Sequence, residues 1–138
     1  MTGVEQARRD ATRLPIDSIA QKLQETLGQR LTAFAVASSD PKAIGRYATG
    51  RQKPRDDTTA RLRDLYVVTQ ILLARETAET VRAWMIGSNP LLEDRAPIEL
   101  LHEDAGSSVR RAAGSIAPPL SGRQLRVVER AAADFVGV

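Results

Sequence analysis

Apolar residues recur along the chain at steps of three, four or seven, which is the spacing of one face of an α-helix. The pattern is clear over residues 16–27, where Ile19, Leu23 and Leu27 are in register and Gly28 supplies a left-handed stop. No segment alternates polar and apolar residues over more than a few positions, as a half-buried β-strand would. The sequence therefore predicts an all-α protein.

Helix start and stop residues divide the rest of the chain into further elements. Helices are predicted over 30–37, 41–49, 59–86, 97–101, 107–116 and 121–134. Whether 59–86 forms one helix or two joined near residues 74–76 stays open at this point. Pro118 and Pro119 must break the chain before the last helix. Residues 1–15 are polar without a clear period, and we expect them to form a flexible arm.

The helices predicted within residues 16–75 have the lengths and tight joins of a helix-turn-helix bundle. In such a bundle the helix that begins at Pro41 enters the major groove of DNA. Its apolar residues Ile44 and Tyr47 must face the bundle, which leaves other positions wholly or partly outward. The candidate DNA-binding residues are Lys42, Ala43, Arg46 and Thr49 on this helix and Arg51, Lys53 and Arg55 in the loop after it.

These candidates have different expected tasks. Arg46 has the geometry for either a bidentate contact to guanine or a contact to phosphate. Arg51, Lys53 and Arg55 are expected to neutralise phosphates without reading sequence. A short amphipathic helix with outward cations is also ordinary in helical proteins, so periodicity alone does not decide for DNA binding.

Composition narrows the function classes. The 138 residues contain no cysteine and only one histidine, His102, so thiol chemistry and a histidine metal site are excluded. Paired catalytic groups and a glycine-rich phosphate loop are also missing, which argues against an enzyme and against a bound cofactor. No apolar run approaches the roughly 20 residues that span a bilayer. We therefore expect a cytoplasmic protein with no membrane partner.

Charge is distributed unevenly along the chain. Residues 40–63 hold seven Lys or Arg against three Asp, whereas residues 76–104 hold seven acidic residues against two Arg. Residues 105–138 are basic again, with five Arg against two acids. This alternation suggests two different partners, although acidic clusters are also often no more than solvated faces.

Two segments resemble a known family. The stretch DPKAIGRYATGRQKP at residues 40–54 resembles the recognition segment of Xre-type helix-turn-helix proteins, although Ala37-Ser38-Ser39 occupies a turn that usually contains glycine. Further along, WMIGSNPLL at residues 84–92, with Pro97, the leucines at 100–101 and Val109, resembles the toxin-binding domain of Xre/MbcA/ParS antitoxins. The order of the two parts also agrees, and the resemblance covers residues from about 16 to 116.

The resemblance implies a type II antitoxin that binds operator DNA as a homodimer and neutralises a cognate toxin, commonly a RES-domain enzyme that consumes NAD. Residues 76–138 would then form a small helical domain for toxin binding and dimerisation. In this family the carboxy-terminal segment lies over the toxin's active-site entrance. Carried onto this chain, the toxin-binding residues are Arg123, Arg126, Arg130, Phe135, Val136, Gly137 and Val138.

Alternatives to the antitoxin hypothesis remain at this point. One is a stand-alone Xre-type regulator without a toxin, and another is an interaction protein whose helix-turn-helix has lost DNA binding.

Trp84 lies on an apolar face, where core packing is the better interpretation than a ligand contact. The Asn89-Pro90 turn fits either a connection or a partner-contacting loop, and His102 at a helix end is more typical of a dipole partner or an exposed residue than of a metal ligand.

Overall fold

The structure, a computed structural model, describes residues 3–104 and 106–115. These residues form α-helices and one 3-10 turn at Pro90–Leu92, with no β-strand among them. The helices are α1 (Gly3–Arg13), α2 (Ile16–Ala35), α3 (Pro41–Ala48), α4 (Asp56–Leu73), α5 (Ala78–Ile86), α6 (Pro97–His102) and α7 (Gly106–Ser115). The predicted all-α class is confirmed.

Residues 3–13 form helix α1, where a flexible arm was expected. Ala7 and Ala11, one turn apart, are buried, and α1 packs along α4. Arg63 of α4 donates hydrogen bonds to the carbonyl oxygens of Ala11 and, at 3.0 Å, of Leu14. Carbonyls at a helix end have no partner within the helix, so the guanidinium satisfies them. Two alanines give only a small apolar stripe, which is why the pattern of hydrophobic residues missed this helix.

Gly28 interrupts α2, as predicted. Its φ of +84° and ψ of 168° lie in a region that is open essentially only to glycine. The hydroxyl of the fully buried Thr32 donates to the carbonyl oxygen of Gly28 at 2.7 Å, which stabilises the chain at the break. Two helical segments therefore meet at Gly28, and the second leads into the turn before α3.

The long predicted segment 59–86 is two helices. Helix α4 ends at Leu73, and the amides of Arg75 and Glu76 both donate to the carbonyl oxygen of Leu72. Thr77 then caps α5, because its hydroxyl oxygen accepts a hydrogen bond from the amide of Thr80 at 3.2 Å. The question left open by the apolar spacing is decided by this turn and cap.

One hydrophobic core cluster includes residues from α1 through α7. Polar contacts also link helices on the two sides of residue 75. Arg61 of α4 donates to the carbonyl oxygen of His102 at 3.0 Å, and Arg82 of α5 donates to that of Thr26 at 2.9 Å. The boundary predicted at residues 75/76 therefore does not divide the core. The predicted break at Pro118-Pro119 and the predicted helix at 121–134 lie outside the described residues.

Candidate nucleic-acid interface

Asp40 caps the amino terminus of helix α3. The Oδ1 atom of Asp40 accepts a hydrogen bond from the amide of Lys42 at 3.0 Å, and Pro41 occupies the first helical position. Proline is favourable there because the amide that it lacks would have no partner within the helix. The predicted start of the helix is thus confirmed.

The turn before α3 keeps a left-handed residue without glycine. Ala37 has a φ of +58°, and the amide of Ser38 donates to the carbonyl oxygen of Ala33 at 2.8 Å. Together with the bond from the Ala37 amide to the carbonyl oxygen of Phe34, this is a Schellman ending of α2. Ala37 therefore takes a conformation that glycine adopts more easily.

The inner face of α3 includes one more residue than predicted. Ile44 and Tyr47 are buried, as their spacing predicted. Ala43 is also buried, so its assignment as an outward DNA-binding residue is wrong. Gly45 lies against α2, and a β-carbon at this position would stand only 2.7 Å from the Nε2 atom of Gln29. A larger residue at position 45 would therefore displace the Gln29 side chain.

Helix α3 ends in a second Schellman motif. Gly50 has a φ of +75°, its amide donates to the carbonyl oxygen of Tyr47 at 3.1 Å, and the amide of Arg51 donates to that of Arg46 at 2.9 Å. This turn sends the chain back along the end of the helix. It brings Gln52 next to Arg46.

Five of the predicted DNA-binding residues are exposed. They are Lys42, Thr49, Arg51, Lys53 and Arg55. Among them, Arg55 lies 3.7 Å from the carboxylate of Asp57, and both side chains of this pair are more than two thirds exposed. The basic character of α3 and its following loop is therefore presented to solvent.

Arg46, the remaining candidate, is held between the two ends of α3. Its Nη2 atom donates to Oδ2 of Asp40 at 2.8 Å, and its Nε atom donates to Oε1 of Gln52 at 2.7 Å. The Arg46 guanidinium, followed by the amide of Lys42, holds the pKa of Asp40 below its ordinary value. The side chain of Arg46 is still 42% exposed. Asp40 was predicted only as a cap and Gln52 was not singled out, because sequence spacing gives no signal for this arrangement.

Two other arginines of the basic segment serve the fold. Arg61 and Arg63 both point to carbonyl oxygens at helix ends, those of α6 and α1 respectively. A cation at a helix carboxy terminus also interacts favourably with the helix dipole. Within the basic segment 40–63, the exposed cations therefore lie in residues 42–55.

The second resembling segment is largely core. Trp84 and Leu92 are buried, which confirms the core interpretation of Trp84. Asn89 is buried as well, and its Oδ1 atom accepts a hydrogen bond from the amide of Leu91 at 2.9 Å. The Asn89 backbone pairs with Arg95 across the loop. The loop is therefore a connection held by its own hydrogen bonds. The side chain of Leu91 projects from it with 60% of its area exposed.

The acidic segment faces solvent. Its exposed acidic residues are Glu79, Glu93, Asp94, Glu99, Glu103 and Asp104. Arg95 pairs with Glu103 and lies 3.4 Å from Glu99. Hydrogen bonding from Arg95 lowers the pKa of Glu103, and the same contact with Glu103 raises the pKa of Arg95.

The predicted toxin-binding residues lie outside the described part of the chain. They are Arg123, Arg126, Arg130, Phe135, Val136, Gly137 and Val138.

No group of three or more His, Cys, Asp or Glu side chains that could hold a metal ion occurs within the described ranges. Among the same residues, no helix combines the length and the apolar character that crossing a membrane requires. Comparison of the chain with protein-family models, curated proteins and solved structures found no match.

Proposed function

We propose that this protein is a type II antitoxin that binds operator DNA through α3 and neutralises a cognate toxin through its carboxy-terminal part. The observation that supports DNA binding is the arrangement of α3. Its buried residues Ile44 and Tyr47 fix the orientation of the helix, while Lys42 and the loop residues Arg51 and Lys53 are exposed. Cations on such a surface neutralise phosphates and displace counterions, which supplies most sequence-independent affinity.

Support for the toxin-binding half comes from the resemblance to Xre/MbcA/ParS antitoxins. Most of the residues that carry it, among them Trp84, Asn89 and Pro97, are buried. Such a motif specifies the shape of a small helical unit, and other residues are left to touch a partner. The proposed toxin is a RES-domain enzyme that consumes NAD.

The toxin contact is proposed for the chain end. Phe135, Val136, Gly137 and Val138 would enter the toxin's active site, with Arg123, Arg126 and Arg130 beside them. An apolar segment that ends in a carboxylate suits a cleft made for a nucleotide, and it would inhibit by occupying the space. Because helix-turn-helix repressors read two half-sites, the proposed active form is a homodimer.

The test is co-expression with the product of the adjacent reading frame. We expect that the neighbour arrests growth when expressed alone, is retained on this protein in a pulldown, and is harmless when both are made. Removal of residues 134–138 should abolish neutralisation and spare DNA binding. The matched variant, Lys42→Ala with Arg51→Ala, should weaken operator binding and keep neutralisation.

Full neutralisation by the truncated chain would refute occlusion by the tail. A harmless neighbour that forms no complex would leave a stand-alone Xre-type regulator as the function. The exposed cations of α3 and of the loop after it support this second candidate as well.

A further inference from the structure

Arg46 differs from the other cations near α3 in being fixed from two sides. Its Nε atom is bound to Gln52 and its Nη2 atom to Asp40, at 2.7 and 2.8 Å. Within the described residues, no side-chain hydrogen bond or ion pair of this kind holds Lys42, Arg51 or Lys53. The plane of the Arg46 guanidinium is therefore set before any ligand arrives.

The Arg46 guanidinium has N–H donors that the contacts with Asp40 and Gln52 do not use. Arginine carries five N–H groups, and these two contacts occupy two of them. The side chain of Arg46 is 42% exposed, so part of it is open to an incoming ligand. Guanine presents O6 and N7 side by side in the major groove and accepts two parallel N–H bonds from such a fork.

Orientation distinguishes a base contact from a phosphate contact. Attraction to phosphate needs charge more than a fixed plane, and the Asp40 carboxylate partly cancels the charge of Arg46. A bidentate base contact needs the plane, and side chains held in place lose less conformational entropy on binding. The hydrogen bond of Arg46 to the Asp40 carboxylate thus weakens a phosphate contact and favours a base contact.

We propose that Arg46 reads a guanine in the major groove and that Asp40 and Gln52 are the positioning residues that orient it. The inference rests on the proposed binding of DNA by α3, and it assigns sequence readout to Arg46 while Lys42, Arg51 and Lys53 contact phosphates.

The experiment selects binding sites for the full chain from a library of duplex DNA with a randomised core. The enriched sites should share a guanine. Arg46→Lys keeps the charge and loses the fork, so preference for that guanine should fall about 10-fold, the order of discrimination expected of one bidentate contact.

Asp40→Asn tests the positioning role. Asparagine caps a helix as well as aspartate does, so the helix start is preserved while the carboxylate is lost. Preference for the guanine should fall, while affinity for unrelated duplexes should rise because a negative charge is removed near the phosphates. A loss of folding would lower the affinity for every duplex, so a rise in affinity for unrelated duplexes together with a loss of guanine preference identifies positioning.

Lys53→Ala is the matched control. It removes one cation without touching Arg46, and it should weaken all duplexes alike and reduce the slope of log affinity against log salt by about 0.9. Unchanged guanine preference in Arg46→Lys and Asp40→Asn would overturn the inference, as would salt-dependent binding without any enriched sequence. In both cases DNA binding itself would stand. Absence of any DNA binding by the wild-type chain would instead overturn the proposed operator function.

Discussion

His102 lies flat against Phe34, with ring centroids 4.4 Å apart and ring planes inclined by 15°. The Nδ1 atom of His102 is also 2.9 Å from the carbonyl oxygen of Phe34. Phe34 lies in the last turn of α2, directly before the turn that leads to α3, and His102 ends α6. This contact joins the proposed DNA-binding helices to the acidic segment.

The first prediction concerns this pair. Phe34→Leu should lower the free energy of unfolding by about 0.5–1.5 kcal/mol, because stacked rings contribute that much beyond the area they bury. The measurement is urea denaturation. Leu91→Ala is the control: Leu91 is also exposed, and its replacement should change stability by less than about 0.5 kcal/mol. Equal effects of the two variants would show that the ring contact contributes nothing.

The second prediction uses the left-handed residue before α3. Ala37→Gly should raise the free energy of unfolding by about 1 kcal/mol, since the strain of an alanine at a φ of +58° exceeds the entropy that glycine loses on folding. Gly28→Ala should act in the opposite direction and cost about 1–3 kcal/mol. Thermal unfolding of both variants measures the signs, and a destabilised Ala37→Gly chain would contradict the assigned turn.

Sequence patterns predicted most of the helices and the inner face of α3. Periodic leucines and caps such as Asp40 act locally, so they can be read without knowledge of the fold. The patterns missed α1, which buries alanines, and they placed Ala43 outward, although it lies on the side that packs into the core. Burial at such small residues depends on how closely a neighbouring helix approaches, and spacing does not report that distance.

The candidate site shows the same division between local and non-local information. The exposed cations Lys42, Arg51 and Lys53 could be identified from charge and helix position alone. The hydrogen bonds of Arg46 could not be predicted in this way. Its partners Asp40 and Gln52 come from opposite ends of α3, and the capping turns bring them to the Arg46 side chain. Arg61 belongs to the same basic segment but binds the end of α6, an element some 40 residues away in sequence.

The third prediction is a dependence on pH. The pKa of Asp40 is depressed in the folded chain by Arg46 and by the Lys42 amide. Asp40 therefore contributes stability above its ordinary pKa of 3.8, and this contribution is lost as the pH falls through the lower folded value. Arg46→Ala should move the carboxyl pKa of Asp40 back toward 3.8, as carbon NMR titration would measure.

Arg95→Ala supplies the matched comparison for the titration. Arg95 lowers the pKa of Glu103 and does not contact Asp40. The variant should therefore raise the pKa of Glu103 and leave that of Asp40 unchanged. A general loosening of the fold would shift both carboxyl groups together.

The fourth prediction concerns the loop that Asn89 closes. Asn89→Ala removes the acceptor for the Leu91 amide and should lower the free energy of unfolding by about 1–2 kcal/mol. Asn89→Ser keeps a capping oxygen and should cost less. Urea denaturation of the two variants gives the comparison, and equal losses would show that the capping bond is not what holds the loop.

The fifth prediction tests whether residues 3–13 belong to the core. Ala11 lies on the helix that packs against α4 and is only 5% exposed, whereas its neighbour Thr12 is exposed. Ala11→Glu forces an unpaired carboxylate into this contact and should destabilise the chain by more than about 2 kcal/mol, while Thr12→Glu should stay within about 0.5 kcal/mol. A detached arm would tolerate both changes equally in urea denaturation. The difference between adjacent positions on one helix thus separates a packed α1 from an arm, whatever the helix propensity of the two variants.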